Sequence, residues 1–127
     1  MSMHVRRVLV PLTFLVLAIA LLVPGGGRFP VAPAVADGVG EKLLLDNERL
    51  TMIEFVFPPR FKGEEHAAVA DEFAYVLDGE FGVMTKGKGK RMLRAGEVEY
   101  AAKGTVHYSL NETGKPARVL VVLLRDR

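Results

Sequence analysis

The 127-residue chain contains no cysteine and no tryptophan, and only three histidines. Without cysteine there is no disulfide framework, no thiolate metal site and no cysteine nucleophile. After residue 40 no stretch repeats its apolar residues at helical spacing, which excludes an α-helical fold class. An excess of positive charge is also missing once the chain is divided. Of the 17 Lys and Arg residues, Arg6, Arg7 and Arg28 lie in residues 1–36, which hold none of the 15 Asp and Glu. Residues 37–127 therefore keep 14 basic against 15 acidic side chains, a formal charge of −1. The basic pI belongs to the leader and offers no footprint for nucleic-acid binding.

What is present first is a long apolar run. MSMHVRR carries two arginines, and the 16 residues Val8 to Val23 follow without a charge. After PGGG and a Pro/Ala-rich stretch, Ala34-Val35-Ala36 supplies small residues ahead of Asp37. A basic head, an apolar run and a small-x-small site are the parts of a secretory signal peptide. The run is slightly short for a membrane span, and the gap to Ala36 is long for a cleavage region. The expectation is thus export to the periplasm or outside the cell by cleavage after Ala36. An uncleaved anchor facing outside is the alternative. Arg6-Arg7 is a weak twin-arginine signal, because Val5 precedes it and the run is very hydrophobic.

The remaining 91 residues, 37–127, read as one domain with no internal repeat or linker. Their period is two. In Arg49 to Phe57, Thr51, Ile53, Phe55 and Phe57 alternate with Leu50, Met52, Glu54 and Val56. Both faces are largely apolar, which predicts a strand covered on both sides. Pro58-Pro59 ends it. Glu72 to Leu77 reads as a strand, Asp78-Gly79 as a tight turn, and Glu80 to Thr85 as the returning strand. KGKGK (86–90) and Ala95-Gly96-Glu97 read as turns around a short strand, Arg91 to Leu93. Strands at Val98 to Tyr100, Val106 to Leu110 and Arg118 to Leu124 complete an all-β sandwich or barrel. A domain this small without disulfides gains from pairing with a second copy, so a homodimer is expected.

With His4 in the leader, the domain has two histidines, His66 and His107. A lone strand histidine is ordinarily a surface or hydrogen-bonded residue. The surrounding pattern is more specific. His66-x-Ala68-x3-Glu72-x6-Gly79 is followed, 16 residues on, by Gly96-x5-Ala102-x-Gly104-x2-His107-x3-Asn111. These segments resemble the two motifs of the cupin superfamily, over about residues 48 to 125. The resemblance implies a single-domain antiparallel β-barrel, the double-stranded jelly roll. It implies that His66, Glu72 and His107 point inward and share one divalent metal (iron, manganese, zinc or nickel). It further implies that the barrel binds a small organic ligand, with metal-dependent, oxygenase-type oxidation as the expected reaction if the protein is an enzyme. Two histidines and a carboxylate with open positions suit iron and oxygen chemistry, and three ligands plus water also suit zinc.

Three positions depart from the pattern. Arg60 stands in place of the first motif's opening glycine, Ala102 replaces a proline, and Ala68 replaces a second ligand histidine. Ala68 opens the alternative of a metal-free, non-catalytic binding or sensing cupin. Glu64 and Glu65 read as exposed loop charges, although either is placed to complete a metal shell. Strand alternation turns Ala74, Val76, Thr105 and Ser109 inward with the triad, and Tyr75 and Tyr108 outward. No nucleophile stands beside a base, so acyl and phosphoryl transfer have no support. Gly82-x4-Gly87-Lys88 is no phosphate loop, since Gly89 follows where Ser or Thr belongs. Asn111-Glu112-Thr113 is a glycosylation sequon relevant only to a eukaryotic secretory route, and Asn111 reads as a residue closing a turn.

Overall fold

Alternation along the chain sets the architecture. The structure, a computed structural model, describes residues 38–126. The expected leader and its expected cleavage site lie outside the described residues. In β2 (Leu50–Phe57) every second residue is buried, and the intervening Leu50, Met52, Glu54 and Val56 are half-buried. The expectation of a strand covered on both sides therefore gives way to one core face and one outer face. No further layer packs on the outer face among the described residues, so its apolar side chains stay half-exposed.

Ten strands form two antiparallel sheets. β1 (Gly40–Asp46), β2, β10 (Ala117–Leu124), β5 (Asp71–Asp78) and β8 (Val98–Ala101) lie side by side in the first, in the order β1-β2-β10-β5-β8. The second contains β3 (Phe61–Lys62), β9 (Val106–Asn111), β6 (Glu80–Thr85) and β7 (Gly89–Arg94), and β4 (His66–Ala67) also pairs with β9. This is the jelly-roll barrel, all β with no helix among the described residues. Ile53, Phe55, Val76, Phe81, Leu93 and Leu123 form the centre of the core between the sheets. Their removal from water is the main favourable term holding the sheets together.

Two connections decide where the site falls. Asp78-Gly79 is not a hairpin turn, because β5 belongs to one sheet and β6 to the other. The chain changes sheets there, with Gly79 at a φ of +80°. A Cβ on Gly79 would stand 2.6 Å from the Pro116 carbonyl oxygen, so only glycine fits this corner. The second connection follows β9. Asn111 is fully buried, and its Nδ2 donates to the carbonyls of Phe57 (3.3 Å), Pro58 (3.0 Å) and Lys115 (2.7 Å). Its Oδ1 accepts from the Thr113 backbone N–H (3.0 Å) and hydroxyl (2.9 Å). One side chain thus ties the end of β2, the end of β9 and the loop before β10. A sequon asparagine buried in this way is not accessible for glycosylation in the folded protein.

Arg60 occupies a left-handed conformation, with φ of +60°. This is the backbone region that glycine adopts at least cost. Its guanidinium donates to the Glu112 carbonyl, and its own N–H bonds the Thr113 carbonyl at 3.1 Å. The side chain therefore contributes to holding a turn whose backbone would suit glycine better.

Candidate metal and ligand site

Three strands bring the histidines and the carboxylate together. β4 pairs with β9 in a register that sets His66 directly opposite His107. Their rings meet edge to face, with centroids 4.8 Å apart. Glu72, second residue of β5, comes from the opposite sheet. Its Oε1 lies 3.3 Å from His107 Nε2, with both side chains almost wholly buried. His66, Glu72 and His107 all line one cavity between the sheets, of about 200 Å³.

Burial governs the electrostatics. It pushes the Glu72 carboxyl up to about 7. It holds the His107 imidazole down to about 4, with the neighbouring His66 ring adding to the effect. Near neutral pH the contact is therefore one between a neutral imidazole and a carboxyl only partly ionised, and not a full ion pair. Glu72 Oε2 and His107 Nε2 are buried without a hydrogen-bond partner. Groups of this kind carry a desolvation cost that a bound group can relieve.

The fit to a metal can be tested on distances. Two ligands each about 2.0–2.2 Å from one tetrahedral ion stand roughly 3.3–3.5 Å apart. The 3.3 Å between His107 Nε2 and Glu72 Oε1 meets that spacing. His66 Nδ1 donates to the Glu64 carbonyl at 2.9 Å, so a metal would be met by its Nε2. A metal-binding histidine usually holds its second nitrogen in this way. Even so, among the described residues no three His, Cys, Asp or Glu side chains form a group already arranged to hold an ion. Glu72 and His107 have the spacing of two ligands to one ion, and His66 lies beside His107 with ring centroids 4.8 Å apart.

The neighbouring positions sort as follows. Ala68 is buried and does not line the cavity, so a histidine there would have to displace packed atoms before reaching the site. Glu64 and Glu65 are exposed, and the Glu64 backbone carbonyl accepts the hydrogen bond from His66 Nδ1. Ala74 and Ser109 line the cavity, whereas Thr105 is half-buried outside its lining. Tyr75 is 42% exposed. Tyr108 carries the Lys62 ammonium 5.3 Å from its ring centroid.

Sequence reasoning missed the cavity's opposite wall. Phe55, Phe57, Phe61 and Phe81 line it. Phe57 is central, with ring centroids 5.8 Å from Phe55, 5.3 Å from Phe61 and 5.1 Å from Phe81. The alternation through Phe55 and Phe57 was the available signal. It reads equally as ordinary core, and only the sheet pairing shows that these rings face a void.

A jelly roll with histidines and a carboxylate at an internal cavity defines a class of protein, and comparison with known proteins agrees. The family model for the cupin domain matches residues 53–123. The chain belongs to the cupin family. No curated protein matches it. Solved structures do. KdgF from Halomonas sp. is 24% identical, with a TM-score of 0.65, covering 73% of this chain and 84% of that one. A cupin superfamily protein from Desulfitobacterium hafniense is 19% identical, with a TM-score of 0.63, covering 82% and 95%. The polyketide cyclase RemF from Streptomyces resistomycificus is 24% identical, with a TM-score of 0.63, covering 70% and 66%. At these identities the likeness concerns the fold.

Proposed function

We propose that this cupin binds a small organic molecule in its barrel at a divalent metal held by His66, Glu72 and His107. The observation that carries the reading is the 3.3 Å approach of Glu72 Oε1 to His107 Nε2 in a cavity whose other end is walled by phenylalanine. When bound, the metal would supply Lewis-acid or redox chemistry at that pole, as oxidation of an organic substrate requires. The chain's own contributions are simpler. The Glu64 carbonyl fixes the His66 tautomer, burial keeps His107 unprotonated and able to donate a lone pair, and the apolar walls exclude water.

Thermal unfolding tests the reading. One of iron, manganese, zinc or nickel should raise the melting temperature reversibly with a chelator, since an ion at 100 times its Kd stabilises by about 2.7 kcal/mol. No shift with any of the four would leave the second reading, a metal-free binding module. Ala68 and the absence of a ready three-ligand group among the described residues favour that alternative.

Two further parts of the proposal have their own support. The outer face of the first sheet carries an apolar row across all five strands: Leu45, Met52, Val122, Phe73 and Tyr100 in register. A homodimer would cover it. Sedimentation should find a dimer that Phe73→Lys converts to monomer; a monomeric wild type would contradict this. The apolar run Val8 to Val23 supports export. A protein recovered outside the cytoplasm and beginning at Asp37 is expected, and recovery only from the cytoplasm would refute it.

A further inference from the structure

The cavity also restricts what kind of molecule can enter, given the reading that it is the ligand site. Its two poles differ sharply. One holds His66, Glu72 and His107; the other is the four-ring wall centred on Phe57. Among the described residues no arginine, asparagine or glutamine lines the space. The lysine that lines it, Lys62, places its ammonium over the Tyr108 ring. Glu64, Glu72 and Glu99 line it as well, Glu99 paired with Arg91, so these walls carry no positive surplus.

Three ligand classes are thereby disfavoured. A phosphate ester needs clustered cationic or backbone donors, a sugar acid needs a cation and many amide or hydroxyl partners, and a free polyol would strand its hydroxyls against phenylalanine. Size narrows the choice further. Benzene occupies an apolar protein cavity of about 150 Å³, and this one measures about 200 Å³. There is room for a single six-membered ring with one or two small substituents. Offset or edge-on packing against Phe57 and its neighbours would orient such a ring. Its oxygen would then meet the polar pole, where Glu72 Oε2 and His107 Nε2 have no hydrogen-bond partner.

We infer that the ligand is an uncharged single-ring molecule bearing a hydroxyl or carbonyl oxygen, seated against the Phe57-centred wall with that oxygen toward Glu72 and His107. The experiment is a calorimetric or ligand-observed NMR titration of the full protein, before and after metal loading, with benzyl alcohol, glucuronate and glycerol 3-phosphate as probes. Benzyl alcohol should bind at least tenfold more tightly than either anion. Phe61→Ala should weaken it by at least fivefold. Phe61→Leu, which keeps apolar bulk but removes the ring, should weaken it less while leaving the melting temperature near wild type. Equal or tighter binding of glucuronate or glycerol 3-phosphate would overturn the inference, as would unchanged benzyl alcohol binding in both variants. Metal content measured on the same samples separates this result from the metal reading. Ring binding without metal refutes only the metal, and metal binding without ring preference refutes only the ligand class.

Discussion

Asn111→Ala is expected to lower the unfolding free energy by about 3–5 kcal/mol, the upper end for a single substitution. The side chain is fully buried and makes five hydrogen bonds, three of them to backbone carbonyls on two segments, Phe57-Pro58 and Lys115. Alanine removes the Asn111 partner of the Phe57 and Pro58 carbonyls and of the Thr113 N–H, while the Lys115 carbonyl keeps the Thr113 hydroxyl at 3.0 Å. Each such group left unpaired away from water costs about 1–3 kcal/mol before any relaxation. Water entering the vacated space relieves part of this, which is why the total falls below the simple sum. Asn111→Asp should be no better, because a carboxylate would face the three carbonyls that Nδ2 now serves. Urea unfolding measures the effect, and a loss below about 1 kcal/mol would show that the junction is not held by this residue.

His107→Ala should reduce divalent-metal affinity by at least roughly 100-fold while the barrel stays folded. Loss of a supporting partner alone typically costs 10–100-fold, and removal of a ligand costs more. The fold should tolerate the change because His107 makes no hydrogen bond through Nε2 and its backbone pairing with His66 and Thr85 is independent of the side chain. Competition with a chromophoric chelator reads the affinity. A variant that binds metal like the wild type would remove His107 from the ligand set. Glu72→Gln is an informative companion. It keeps the shape of the side chain and removes the charge that burial already disfavours, so metal binding should fall without loss of fold.

The strands and the polar residues of the site were legible, because period-two alternation and motif spacing are local properties of the chain. Glu80 to Thr85 was bounded correctly from its flanking turns, and β2 began one residue later than expected. β1 and β3 were not seen. Five of the seven β1 residues are exposed, so it shows no alternation of burial, and two-residue β3 is too short to show a period at all. The Asp78-Gly79 turn misled because a glycine corner between sheets and a hairpin glycine look alike in sequence. Arg60 shows the reverse. It stands where the family pattern has glycine, and its backbone is left-handed, the region glycine adopts at least cost. The aromatic wall depends on which sheets face each other, a non-local fact that no window of residues contains.

The proposed site requires His66, Glu72 and His107 to act together on one ion. Elemental analysis of the purified protein after reconstitution with iron, manganese, zinc and nickel tests this most directly, with His66→Ala and His107→Ala alongside. Close to one divalent ion per wild-type chain, falling to background in both variants, is the predicted result. A wild-type protein that retains no metal, or variants that retain as much as the wild type, would contradict it.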